Sequence, residues 1–213
     1  MRTFIICVLS APLSILIFLT SSCLVAGDPG PCPTNIGYLP MNINLLEGSW
    51  YMQSRYIPHH PIDYRCHKTD IIRGTITKHT IKKFQINKDD GSPKVTQQKI
   101  LFLDDGRFFT KYEGAHAASA SSASTASSSR GLNIDFDNLV YKIISLDCEK
   151  LIIYSCQDLP NDKHAKLLWV YTRKSRPSDE VIKKYKEAVN ANGFKANLLK
   201  PISHKNCRDY REF

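Results

Sequence analysis

Residues 139–174 read LVYKIISLDCEKLIIYSCQDLPNDKHAKLLWVYTRK, and their pattern decides the fold. They divide into three strands. Residues 139–146 pass through Asp147-Cys148-Glu149 into 150–157, and after a polar turn at 159–164 the run 166–174 follows. β-Branched and aromatic residues dominate, and the polar breaks are short. Residues 151–156 and 167–172 are apolar on both parities, as strands covered on both faces should be. Something apolar must therefore lie on the outside of the sheet. The next segment supplies it. Pro177-Ser178-Asp179-Glu180 offers a cap and first-turn acids, and Gly193 offers a stop. Val181, Ile182, Tyr185, Ala188 and Val189 share one face at helical spacing, while Lys183, Lys184 and Lys186 fall off it.

Upstream the strand pattern continues. Residues 49–57 (SWYMQSRYI) alternate and stop at Pro58. Residues 66–88 form a long β-branched run ended by Asp89-Asp90-Gly91. Residues 94–103 end at Asp104-Asp105-Gly106, 107–115 follow, and 132–136 make a short strand. Asp-Gly between β-rich runs is a hairpin signal. The count is eight. An all-β, eight-stranded antiparallel up-and-down barrel with one C-terminal helix outside is the expected architecture. Residues 28–47 read as an extended arm. Residues 117–129 (AASASSASTASSS) lack apolar bulk and read as a flexible insertion within one domain, since the flanks are too short for separate cores.

Residues 1–26 read as a secretory signal peptide: a basic start, an apolar middle at 4–20 and small residues before a cleavage near Ala26 or Gly27. The rival, a membrane anchor, is disfavoured by Pro12 and by the cleavable end. Residues 27–213 then form a single extracellular domain, large enough to bury a core. Of seven cysteines, Cys7 and Cys23 leave with the signal. The five that remain suit two disulfides and one spare thiol. The net charge of +9 is scattered rather than clustered. It permits an anionic surface or receptor partner but matches no nucleic-acid motif. The sequence has no phosphate loop, nucleophile elbow, zinc spacing or N-glycosylation sequon. No catalytic residue, metal or cofactor is expected, and the chain does not read as an enzyme.

Leu46-Glu47-Gly48-Ser49-Trp50-Tyr51 resembles the G-x-W motif that opens the first strand of lipocalins. Asp147 matches the family's T-D-Y motif, with Cys148 in place of the Tyr. Arg173, between the last strand and the helix, is similar to the third motif. In that family the Arg packs across the Trp at the closed end of the barrel, a cation–π contact. Gly48, Trp50, Asp147 and Arg173 are therefore the expected structural motif. Tyr154-Ser155-Cys156 and a near-terminal Cys207 resemble the branch of apolipoprotein D and the insect bilin-binding (insecticyanin-like) proteins. That resemblance implies bridges Cys32–Cys156 and Cys66–Cys207, with Cys148 unpaired. Lipocalin connectivity also implies that the Ser/Ala-rich insertion joins the fourth and fifth strands at the closed end, away from the ligand.

Strand parity then proposes a binding wall. With Trp50 inward, Met52, Ser54 and Tyr56 point inward too. Lys111 outward turns Phe108, Thr110 and Tyr112 in, and Lys142 outward turns Leu139, Tyr141 and Ile143 in. Phe84, Ile86, Ile100 and Phe102 complete the list. The resemblance implies a carrier of a small hydrophobic ligand such as a bilin, retinoid or fatty acid, bound as a guest rather than a cofactor. The alternative is a secreted effector or inhibitor that binds proteins through its loops and basic surface.

Overall fold

A computed structural model describes residues 27–39, 42–75, 78–103, 105–112 and 134–207. The signal-peptide segment and the Ser/Ala-rich run 117–129 lie outside these residues. Eight strands form the barrel: β2 (Gly48–Tyr56), β3 (Tyr64–Thr75), β4 (Lys78–Asn87), β5 (Pro93–Phe102), β6 (Phe108–Tyr112), β7 (Tyr141–Leu146), β8 (Lys150–Leu159) and β9 (Lys163–Thr172). Each pairs antiparallel with the next, and β9 returns to β2 to close the ring. Two-residue strands flank it, β1 (Asp28–Pro29) on β9 and β10 (Lys200–Pro201) on β2. Short helix α1 (Ile43–Leu46) precedes β2, and α2 (Asp179–Ala191) follows β9. Among the described residues no helix is long and apolar enough to cross a membrane.

The strand count of eight is right, but through two offsetting errors. Residues 66–88 hold two strands, because a β-branched run masks the reversal between Thr75 and Lys78. Residues 134–136 are not a strand. The Asp135 carboxylate accepts from the Asp137 backbone N–H and from Asn138 Nδ2, so local turn bonds replace a ladder. Leu132 and Asn133 lie outside the described residues.

The helix forms where expected. Ser178 caps it by accepting from the Val181 N–H, and Gly193 ends it at φ +79°. Val181, Tyr185 and Val189 are buried. Tyr185 and Val189 pack on Ile144, Ile152, Tyr154, Leu168 and Val170, the outer faces of β7, β8 and β9. A separate cluster fills the barrel, from Trp50 and Leu46 up through Ile71, Ile100, Leu151 and Leu167. Disulfides Cys32–Cys156 and Cys66–Cys207 tie the N-terminal arm to β8 and the C-terminal segment to β3, and Cys148 is free and exposed.

Alternating strand direction sets the two ends. The connections β3–β4, β5–β6 and β7–β8 lie at the Trp50 end, and the others lie opposite. The connection carrying residues 117–129 leaves β6 at Tyr112 and meets β7 at Tyr141. It therefore joins the fifth and sixth barrel strands and springs from the end opposite Trp50, which corrects the closed-end placement.

Candidate functional site

The closed end is built on Trp50, which is fully buried. Its indole Nε1 donates to the Leu46 carbonyl at 2.7 Å. The Arg173 guanidinium lies 3.7 Å over the ring and donates to the Ser49 and Leu45 carbonyls at 3.2 and 2.6 Å. Gly48, at φ +93°, is required twice: by its backbone conformation and because a Cβ there would meet Arg173 Nη1 at 3.2 Å. Asp147 holds the β7–β8 turn by accepting from the Glu149 and Lys150 N–H groups at 2.8 Å each, and from Lys150 Nζ.

Above this plug the barrel holds a cavity of about 230 Å³ that is partly open to solvent. One wall is apolar and largely aromatic. Phe102 meets Phe108 edge-on, Phe108 stacks on Tyr141 at 5.2 Å, and Tyr141 meets Trp169 at 5.4 Å. Met52, Ile57, Ile71, Ile81, Ile100 and Ile153 continue it. The facing wall is polar. β3 brings His67 and Thr69, β4 brings Lys83 and Gln85, β5 brings Lys94, Thr96 and Gln98, and β2 brings Arg55. Asp137 lies exposed on the lining.

Of the expected wall residues, Met52, Phe102, Phe108, Tyr112 and Tyr141 line the cavity, as do Ile100 and Thr110. Ser54 and Tyr56 do not. The β2–β9 register shifts between Met52 and Ser54, so Gln53 is an added residue that switches the parity. Arg55 and Ile57 point in, Ser54 faces Tyr185 of α2, and Tyr56 joins the cluster under that helix. Phe84 and Ile86 also face outward. They pack on Cys66 with Cys207 beside them, so the disulfide gives β4 an apolar exterior and leaves Lys83 and Gln85 inside. Ile143 is buried in the inner cluster but does not line the cavity.

Strand parity does not single out Trp169 and Tyr171 as wall residues, because β9 is apolar on both parities. A signal existed: Arg173, whose guanidinium covers Trp50, shares their parity. The polar wall has no comparable signal, since it depends on the outward disulfide and on the bulge.

The electrostatics of the cavity are lopsided. Burial, then the positive charges of Lys83, Arg55 and His204, push His67 down to about 3, so it is neutral. Burial alone pushes Lys83 down to about 8. Burial raises Tyr64 and Tyr171, and raises Tyr141 to about 12, so these phenols remain protonated donors. Arg55 Nη2 donates to the Pro61 carbonyl and lies 3.2 Å from His60 Nδ1, and its carbon lies 5.0 Å from the Tyr64 ring centroid. Among the described residues no group of His, Cys, Asp and Glu could hold a metal ion.

Three solved structures share the fold at low identity. H1 crustacyanin from the lobster Homarus americanus superposes with a TM-score of 0.63 at 15% identity, covering 89% of this chain and 96% of that one. Insecticyanin from the tobacco hornworm Manduca sexta gives 0.64 at 11%, covering 85% and 91%. The amine binding protein of Rhodnius prolixus, solved as its tryptamine complex, gives 0.60 at 15%, covering 88% and 92%. No curated protein sequence matches the chain. The sequence profile of one family covers residues 75–206, more than half of the chain, from the end of β3 past α2 to the C-terminal tie. With that match, the Arg173–Trp50 plug and the closed eight-stranded ring, the chain belongs to the lipocalin / cytosolic fatty-acid binding protein family.

Proposed function

We propose that this chain is a secreted carrier of a small hydrophobic ligand, held inside the barrel between the aromatic wall and the polar wall. The observation that carries this reading is the cavity of about 230 Å³ above the Trp50 plug, partly open to solvent, in a barrel whose other inward residues are packed. Family members and fold neighbours that bind small molecules support it. The mechanism is partition. Apolar area leaves water at about 25 cal/mol per Å², and hydroxyl and amide groups orient the guest. Met52, Phe102, Phe108, Tyr112 and Tyr141 are the contact residues, joined by Ile57, Trp169 and Tyr171. A bilin, a retinoid and a fatty acid are the starting candidates, and a basic exterior leaves room for an anionic surface or receptor partner.

The test is native mass spectrometry with absorption spectroscopy on protein from its own source, followed by displacement of a neutral fluorescent lipophile. A co-purifying small molecule, or saturable displacement that Trp169→Ala weakens, is the expected result. An empty protein that takes up no lipophile overturns the carrier and leaves a protein-binding effector.

A further inference from the structure

Lys83 lies at the middle of a row that the strand register lays across the inner face. Thr69 on β3 pairs with Lys83 on β4, and Lys83 pairs with Thr96 on β5. All three line the cavity. Lys83 is half-buried and has no ion-pair partner among the described residues, and loss of solvation accounts for its weakened hold on a proton. A cation in such a place is normally paired, because removing it from water is costly. The described lining offers one carboxylate, Asp137, and that residue is exposed. Arg55 adds a second positive charge. It is 5% exposed, its known contacts are neutral, and its Nε, a donor in every protonation state, has no acceptor. The lining therefore holds more positive charge than its own groups balance.

Size narrows the guest further. The cavity of about 230 Å³ is larger than the roughly 150 Å³ that encloses benzene. It is smaller than the roughly 300 Å³ at which pockets for drug-sized ligands begin. That space suits one ring or a medium-length chain.

Resting on the carrier reading above, we infer that the guest is a compact amphiphile with one negative charge, its acid group on the Lys83 ammonium between Thr69 and Thr96 and its apolar body against the Phe108–Tyr141–Trp169 wall. An amine of the same shape is disfavoured, because it brings a further positive charge to a lining that already holds Lys83, Arg55 and Lys94. An ionised acid restores to Lys83 the charge-assisted bonds that burial removes.

Calorimetric titration with matched probes tests this. One series is 4-phenylbutanoate, 4-phenylbutan-1-ol and 4-phenylbutylamine, and the other is decanoate, decan-1-ol and decylamine. In each, the acid is expected to bind about tenfold or more tightly than the alcohol, and the amine more weakly than the alcohol. Lys83→Met brings the acid-to-alcohol ratio close to one, and Lys83→Arg keeps most of it. Circular dichroism checks that each variant folds, with Lys83→Gln as the substitute if Lys83→Met does not. Acids that bind no better than alcohols, amines that bind best, or an acid preference that survives Lys83→Met each overturn the inference while the carrier stands. If no member of either series binds while the neutral fluorescent lipophile does, the inference falls and the carrier stands; if that lipophile also fails to bind, the carrier reading falls with it.

Discussion

Gly48, Trp50 and Arg173 act as one unit, and each can be tested singly. Gly48→Ala puts a Cβ 3.2 Å from the guanidinium at a positive φ, and is expected to cost about 1–3 kcal/mol in chemical denaturation. Trp50→Ala empties the base of the core and is expected to cost about 3–5 kcal/mol, whereas a loss under about 0.5 kcal/mol would refute the plug. His67 sets a pH dependence. Its folded pKa, about 3, lies below the value near 6.5 of the unfolded chain. The unfolded state therefore binds the extra proton between those values. Stability from this residue is complete above pH 6.5 and falls as the pH drops from 6.5 toward 3, by an amount on the order of a few kcal/mol. Urea titrations at pH 7 and pH 4 should show the difference, and His67→Gln should shrink it. Lys83 has the same sign in a higher window. Its penalty is full below pH 8 and fades as the pH rises toward 10.5, so Lys83→Met is expected to raise the unfolding midpoint at pH 7 and to lose that advantage near pH 10.5.

Among the elements, β2 and β4 show where pattern reading stops. Alternation alone places Met52, Ser54 and Tyr56 on one face, and the bulge at Gln53 moves the last two outside. A bulge leaves no mark on the alternation of hydrophobic residues, since Arg55 and Ile57 are as plausible outside as inside. On β4, Phe84 and Ile86 are the apolar parity, yet the Cys66–Cys207 bridge makes the exterior their solvent-free side. Deleting Gln53 should remove the bulge and leave Met52 inward, Ser54 outward and Arg55 inward by simple alternation. A retained cooperative unfolding transition with unchanged tryptophan emission is the expected result, and loss of either would show that Gln53 is more than an added residue. α2 was legible throughout, because its cap, its apolar face and its stop all lie within one stretch of chain. Ser178→Ala should cost about 1 kcal/mol through the lost cap.

For the whole molecule, the two bridges fasten both ends of the chain to the barrel. Thiol labelling of a chain spanning residues 27–213 should therefore modify Cys148 alone, and a second labelled cysteine would contradict the pairing. The outer helix, most of the strands and the number of spare thiols could be read directly, because each rests on local periodicity, on capping or on composition, and the G-x-W base followed from the family resemblance. The cavity's polar half could not. Arg55 points inward because of a bulge that adds one residue against a partner strand more than a hundred positions away. Lys83 points inward because a disulfide makes the outside of β4 as dry as its inside. Alternation along one strand carries no information about either, so the charge in the binding site was decided only when the barrel closed.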